Sequence, residues 1–268
     1  MNNQPDDCNL FGGISDKKIL VTGASGGIGS EIAKVFIRQG AFVGLHYSGG
    51  ENGKNILLRL KEEAINKWAK TNPEKIKLFS GNLLNKEARN NLVPSFVEAF
   101  GGIDVLINNA GAMFEYKHFS ELDEESWDKS FTLNAKAPFW LSARAFEHMK
   151  QRGGKIINIS SVNVRYGGSG KSMPYVASKA ALDSITKGFA REGAQYNILV
   201  NSIRCGVIES PMHTKIPGYT EENLKKRIEL ILLKRAGKPL DIARMALFLA
   251  SDAGNFITGQ IFSVSGGD

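Results

Sequence analysis

Short apolar runs rich in β-branched residues alternate with longer segments of 3.6-residue periodicity from one end of the chain to the other. Strands that read as near-continuous apolar runs are buried on both faces, which demands helices above and below a parallel sheet. The pattern predicts strands at Ile19–Thr22, Phe42–His46, Ile76–Ser80, Val105–Asn108, Lys155–Ile159, Leu199–Ile203 and Gln260–Val264. Between them it predicts helices at Ile28–Gln39, Ile56–Lys70, Lys86–Phe100, Ser126–Met149, Pro174–Tyr196, Glu221–Leu233 and Leu240–Ala250. No Pro- or Ser-rich linker and no fixed repeat divides the chain. The expected architecture is therefore a single doubly wound α/β domain over 17–268, with a parallel sheet of about seven strands, behind a polar tail at 1–16.

Composition narrows the setting. With 42% hydrophobic and 23% charged residues, the chain has ordinary globular character and can bury a sizeable core. No apolar run approaches the roughly 20 residues needed to span a bilayer, so no membrane association is expected. The two cysteines, Cys8 and Cys205, have no metal or redox spacing, which points to a reducing, cytoplasmic setting and to no metal. The net charge of +7 raises the question of nucleic acid. Its densest cluster, Lys225, Lys226 and Arg227, falls in a helical pattern and reads as a solvated face, so no nucleic-acid partner is expected. The excess would also draw anionic ligands, such as a phosphorylated cofactor or an acidic carrier protein.

The segment Thr22-Gly23-Ala24-Ser25-Gly26-Gly27-Ile28-Gly29 follows the first strand and opens the first helix. That junction presents free helix N-terminal amides to a pyrophosphate, and absent side chains let the backbone approach it. The same glycines match a G-x-S-x-G nucleophile elbow with Ser25 as nucleophile and His118, His148 or His213 downstream. In a hydrolase of that kind, several strands precede the elbow, whereas here only one does. A phosphate loop of the G-x-x-x-x-G-K-[ST] type is excluded: near Gly49–Asn55 the glycine spacing is one short and Asn55 replaces the metal-binding hydroxyl.

Tyr175 and Lys179 lie four apart in a predicted helix and so share one face. A nearby ammonium favours the phenolate, which predicts a lowered tyrosine pKa and a proton donor and acceptor for neutral pH. Chance alone supplies about half an occurrence of this spacing in such a chain, so the pair needs its context.

With these motifs, Asn108-Asn109-Ala110-Gly111 after strand four, Asn134 in Leu-Asn-Ala-Lys, and Ser161 at the end of strand five, the chain resembles the short-chain dehydrogenase/reductase family over Lys17 to Gly267. Phe248-Leu249-Ala250-Ser251-Asp252, Ile257-Thr258-Gly259-Gln260 and Gly266-Gly267 resemble its 3-oxoacyl-[acyl-carrier-protein] reductase branch. The resemblance implies a Rossmann-type domain. It also implies catalytic roles for Asn134, Ser161, Tyr175 and Lys179: Ser161 would polarise a carbonyl oxygen, Tyr175 would deliver its proton, and Lys179 would tune Tyr175 and hold the nicotinamide ribose. Asn134 would hold a relay water. Asn109, Ala110 and Gly111 would line the adenosine ribose pocket. Further cofactor contacts are implied for Gly23, Ser25, Gly26, Gly27, Ile28, Gly29, Tyr47, Ser48, Asn82, Leu83, Gly206 and Ile208, and for Tyr175 and Lys179 themselves.

Several positions depart from the family pattern. Tyr47 stands at the end of strand two, where NAD-preferring members place an acid, so nothing there repels a 2′-phosphate and NADP is expected over NAD. The usual basic partners of that phosphate are replaced by Gly26 and Ser48, leaving Lys54 or the amides of Ser48 to Gly50 to take the role. Asn82 replaces an aspartate that bonds the adenine amino group, and its amide oxygen is expected to substitute. Cys205 replaces a proline before Gly206, either as a small apolar filler or as a target for thiol reagents. Asn163-Val164-Arg165 in the loop Val162–Met173 replaces small residues and implies a differently shaped substrate pocket.

The expected function is a carbonyl–alcohol oxidoreductase acting on a small-molecule substrate, with a 3-oxoacyl thioester, possibly carrier-protein-bound, as the best substrate expectation. A sugar or polyol dehydrogenase uses the same four residues. The insertion Cys205–Pro239, a lid carrying Met212, Ile216 and Tyr219, would discriminate them. A cofactor-sensing protein without turnover is the rival of another class, against which the intact catalytic set argues. The resemblance further implies a homotetramer.

Overall fold

The computed structural model describes residues 12–68, 72–210 and 216–268. The strands are β1 (Lys18–Val21), β2 (Phe42–Tyr47), β3 (Ile76–Ser80), β4 (Val105–Asn108), β5 (Gly154–Ser161), β6 (Ile198–Cys205) and β7 (Ile261–Val264). They form one parallel sheet in the order β3-β2-β1-β4-β5-β6-β7. The helices are α1 (Gly27–Arg38), α2 (Glu51–Lys67), α3 (Lys86–Phe100), α4 (Glu124–Phe131), α5 (Ala137–Met149), α6 (Met173–Gly193), α7 (Glu221–Glu229) and α8 (Pro239–Ala250).

Strand alternation divides the interior into two cores. Ile19 and Val21 of β1 face α1, α2 and α8, whereas Leu20 faces α3, α5 and α6. The same division separates Val105 and Ile107 from Leu106 in β4. Because both faces are covered, the central strands carry apolar side chains at successive positions, which is the pattern their sequences show. The strand order reverses between β1 and β4, and this opens a crevice at the carboxyl ends of the strands, where a doubly wound sheet binds its ligands.

Each of the seven expected strands is present: β3 and β4 have the expected bounds, and no end of the others is displaced by more than two residues. Among the helices, three differences have physical causes. The segment expected as one helix over Ser126–Met149 is divided into α4 and α5 by a π turn at Thr132–Lys136. Pro138 has no N–H for the carbonyl of Asn134 four residues earlier, and its ring crowds that carbonyl. The chain widens instead, and Ala137 N–H donates to Thr132 O. Helix α2 begins at Glu51, ahead of the expected Ile56, because its first turn is polar and gives no periodic signal; the end expected at Lys70 lies outside the described residues. Helix α7 stops at Glu229, leaving Leu230, Leu232 and Leu233 exposed at 68%, 74% and 59% rather than on a buried helical face. Of the tail at 1–16, residues 1–11 likewise lie outside the described residues.

On the α3 face the sheet makes room for an aromatic cluster. Phe96 is fully buried, with its ring centroid 5.1 Å from that of Phe100 and 5.7 Å from that of Phe79. It fits because β2 carries glycine beneath it: a Cβ on Gly44 would lie 2.5 Å from Phe96 Cδ2. Gly44→Ala is expected to cost about 1–3 kcal/mol by overpacking. Urea unfolding of the variant at unchanged m would measure it, and a neutral or stabilising effect would show that the ring moves aside freely.

Candidate active site

A cleft of about 1400 Å³ runs along the carboxyl edge of the sheet, from the glycine loop at one end to Tyr175 and α7 at the other. The loop is built by hydrogen bonds that replace those the strands no longer supply. Ala24 N–H donates to His46 O (2.7 Å), Gly26 N–H to Gly23 O (3.0 Å), and Asn109 Nδ2 to Thr22 O (2.8 Å). Thr22 Oγ1 accepts from the amides of both Asn109 (2.9 Å) and Ala110 (3.0 Å). Gly29 lies against the loop it closes, since a Cβ there would sit 2.2 Å from Gly23 O. Gly23, Ser25, Gly26, Gly27, Ile28 and Gly29 therefore stand together at the start of α1, lining the cleft.

Ser48, Asn82, Leu83, Asn109, Ala110, Gly111, Gly206 and Ile208 line the same cleft. Tyr47 does not. Residues 46 and 48 share one side of β2 and residue 47 points to the other, so Tyr47 is packed at 8% exposure against α2 near Gly53. Tyr47, expected as a cofactor contact, thus stands off the cleft wall, and His46 lines it. Asn82 faces the cleft, and one lone pair of its Oδ1 accepts Leu84 N–H (3.0 Å) in an Asx turn.

His46 was invisible to motif reading, yet it ties two loops together. Gly23 N–H donates to Nδ1 (3.2 Å), and Nε2–H donates to Gly81 O (2.8 Å), which assigns the neutral tautomer. The ring is 2% exposed, and burial pulls its pKa from 6.5 to about 4.

At the other end of the cleft, Ser161 closes β5, and its Oγ accepts Asn163 N–H (3.3 Å). Tyr175 and Lys179 rise from the first turns of α6, 8% and 3% exposed. Lys179 Nζ donates to Ile159 O (2.8 Å) and lies 5.9 Å from the Tyr175 ring centroid. Asn134 is fully buried behind them; its Oδ1 accepts Ala112 N–H (3.0 Å), and its Nδ2 donates to Ala112 O (2.9 Å) and Ser178 Oγ (3.1 Å). Gly111 leaves no room between these groups, because a Cβ there would meet Asn134 Oδ1 and Lys179 Nζ, each at 2.9 Å.

The expected lowering of the tyrosine pKa is not what this geometry produces. Burial dominates both groups: the Tyr175 phenol is pushed up to about 12, opposed in part by a hydrogen bond with Ser161, and the Lys179 ammonium is pulled down to about 8. Lys179 spends its hydrogen bond on a carbonyl rather than on the phenol, so it does not offset desolvation. Tyr175 therefore holds its proton at neutral pH. Cys205 is 7% exposed, and burial likewise pushes its thiol up to about 12. Of its two expected roles this supports the apolar filler, because the reactive thiolate is suppressed.

The lid is only partly within the described residues, since 211–215, including Met212, lie outside them. Ile216, Pro217 and Tyr219 line the cleft, with the Tyr219 ring 5.1 Å from that of Tyr116. Helix α7 is held down by Arg227, which pairs with Asp268 (2.5 Å), reaches Asn163 Oδ1 (3.4 Å) and lies over Tyr166. Sequence reading took Arg227 for part of a solvated face; its partners are 41 and 64 residues away and gave no local signal.

The sequence profile described as enoyl-(acyl carrier protein) reductase matches residues 23–268. The chain belongs to the short-chain dehydrogenase/reductase family. It is 36% identical over 255 residues to the 3-oxoacyl-[acyl-carrier-protein] reductase FabG of Thermotoga maritima, covering 95% of this chain and 98% of that one. It is also 36% identical over 256 residues to the NAD-dependent glycerol dehydrogenase of Listeria innocua, covering 95% and 94%. Among solved structures, the angucycline C-6 ketoreductase LanV with bound NADP superimposes with a TM-score of 0.84 at 30% identity, covering 96% of each chain. As a short-chain dehydrogenase/reductase, the chain is an oxidoreductase, and no helix among the described residues is long and apolar enough to cross a membrane.

Two predictions follow from burial. The folded pKa of His46 lies below its unfolded value, so between about 6.5 and 4 the unfolded chain binds more protons, and stability present above that window is lost as pH falls through it. The full loss is on the order of 3 kcal/mol. Denaturant unfolding from about pH 7 to 4.5 should fall more steeply for the wild type than for His46→Asn; parallel slopes would contradict the assignment. In a Cys8→Ser background, Cys205 should resist iodoacetamide near pH 8 in the native protein and react on unfolding, as read by mass spectrometry. Rapid native alkylation would show that the thiol is reached.

Proposed function

We propose that the protein is an NADP(H)-dependent oxidoreductase that interconverts a carbonyl and a secondary alcohol. The observation that carries this reading is the gathering of Ser161, Tyr175 and Lys179 at one end of a cleft whose other end is the glycine loop. A dinucleotide suits the cleft: the backbone cradle at Gly29 and the side-chain-free gap at Gly111 leave space that any larger residue would fill. Gly23 to Gly29 would hold its pyrophosphate and Lys179 its nicotinamide ribose. The absence of an acid on the cleft side at the end of β2, where Ser48 lines the wall, supports NADP over NAD. When bound, the reduced nicotinamide supplies hydride to the carbonyl carbon.

The remaining work falls to the chain's own groups. Ser161 donates a hydrogen bond to the carbonyl oxygen as negative charge develops there. Tyr175, held protonated by its burial, gives that oxygen its proton, and the buried Lys179 and Asn134 brace it from behind. In the reverse direction, the same phenol must first lose its proton, so alcohol oxidation should be favoured by alkaline pH.

For the substrate, we favour a 3-oxoacyl thioester, possibly carried by an acyl carrier protein, because Met113, Phe114, Val162 and Ile216 give the catalytic end an apolar lining. A polyol or sugar is the second reading, favoured by Asn163 and Asn223 in the same wall. The exposed Trp127, Phe139 and Trp140 of α4 and α5 support a homotetramer, and the free, buried thiol of Cys205 suits a cytoplasmic setting.

The test is oxidation of NADPH and NADH across a panel of 3-oxoacyl thioesters and ketoses, with Tyr175→Phe beside the wild type. Removing the proton donor should lower kcat by about 10²–10⁴ with cofactor binding retained. A variant as active as the wild type would remove Tyr175 from the chemistry. Turnover of ketoses alone would replace the acyl reading by the polyol one, higher kcat/KM with NADH would overturn the cofactor assignment, and binding without turnover would favour a sensor.

A further inference from the structure

Arg89, in the first turns of α3, is 6% exposed and has no ion-pair partner among the described residues. Its Nη1 donates to two main-chain carbonyls, Leu83 O and Leu84 O, each at 2.7 Å. The charges that act on it are a like charge, Arg144 of α5, and Glu87 of the same helix. Apart from Glu87 and the two carbonyls, the surroundings oppose a cation at this place, burial foremost. Burial strips its hydration, the helix N-terminus carries positive potential, and Arg144 repels it. For packing alone, an apolar side chain in the α3 face would serve better.

What the guanidinium achieves lies on the other side of the loop. Leu83 and Leu84 line the cleft, beside Asn82 and on the wall that continues to His46 and Ser48. The loop is a tight turn, with Asn85 N–H donating to Asn82 O (2.9 Å) and Asn82 Oδ1 accepting Leu84 N–H (3.0 Å). Asn82 thus spends one lone pair of its amide oxygen inside the turn, and Leu83 and Leu84 form the rest of this wall. The carbonyls of Leu83 and Leu84 need a donor, and Arg89 supplies both bonds from one nitrogen.

We propose that Arg89 is a positioning residue for the adenine half of the dinucleotide, holding the Asn82–Leu84 wall in the shape that receives the base. This rests on the dinucleotide reading above, and the experiment separates the two. Calorimetric titration gives Kd for NADPH and for adenosine 2′,5′-bisphosphate with the wild type, Arg89→Lys and Arg89→Met. Wild-type binding of both ligands tests the cofactor reading by itself; no binding would remove it and the inference together.

Given wild-type binding, Arg89→Met should weaken both ligands by a similar factor, about tenfold or more, with full binding stoichiometry. At saturating NADPH its kcat should stay within about twofold of wild type, and Arg89→Lys should recover most of the affinity. Amide hydrogen exchange at residues 82–85 should quicken in ligand-free Arg89→Met. Unchanged Kd values would overturn the proposal, as would lowered stoichiometry with unchanged Kd, since that is the mark of a merely structural role. If Arg89→Met does not fold, Arg89→Gln is judged by the same criteria. If neither folds, the proposal is overturned in favour of a structural role.

Discussion

Everything at the carboxyl edge of this sheet depends on how the strands stop pairing. Where β1, β2 and β4 end, their backbone groups lose ladder partners while still partly shielded from water, and the orphans are met by neighbouring backbone or by a few side chains. Thr22 receives two amides from the segment after β4, Asn109 covers two carbonyls of the glycine loop, and His46 joins Gly23 to Gly81. Deeper in the sheet, Asn108 donates to Asn158 Oδ1, and Asn158 donates to Thr186 Oγ1, which ties β4 and β5 to α6. These bonds fix the loops to the strands and leave the amides at the start of α1 directed at the cleft. A binding surface made of backbone has little side chain to mutate, so its shape is carried by residues behind it.

This division explains which features were legible in the sequence. Strand positions were readable because burial on both faces forces an apolar run, and the glycine loop because close approach excludes side chains at Gly29. Ser161, Tyr175 and Lys179 were readable because they sit at fixed places on elements of known kind. Residues that act from behind the wall carry no such mark. His46 looks like one polar residue in a strand, Arg89 like one charge in a polar helix, and Arg227 like part of a basic face. His46 and Arg227 owe their partners to the tertiary fold, 35 and 41 residues away, whereas Arg89 bonds carbonyls of the turn just before its own helix, a contact with no side-chain signature. The orientation of Tyr47 escaped the sequence for a related reason: strand alternation turns its side chain into the core.

The electrostatics of Tyr175 and Lys179 show the limit of a pairwise argument. Spacing alone brings a cation towards a phenol and suggests stabilised phenolate. Burial acts on both groups in the opposite sense, favouring neutral phenol and neutral amine, and at 5.9 Å without a direct hydrogen bond the pair does not overcome it. The outcome suits the reduction proposed above, in which Tyr175 would meet the reacting oxygen with its proton still attached. It also makes the site responsive to whatever charge enters the cleft, since a group poised by desolvation shifts readily when a new ion arrives.

The π turn between α4 and α5 illustrates how a local violation can serve the site. A proline in a helix interior costs roughly 3 kcal/mol, mostly through a lost hydrogen bond and a clash with the carbonyl four residues back. Here the preceding bond is rerouted, Ala137 N–H to Thr132 O, so the helix continues through Pro138 with a widened turn instead of breaking. Widening brings Asn134, fully buried, to face Ala112 and Ser178, where its amide bridges the segment after β4 and the helix that carries Tyr175 and Lys179. An uninterrupted helix would present residue 134 at a different angle to both. The proline and the asparagine are four residues apart because the defect and its use are one structural unit.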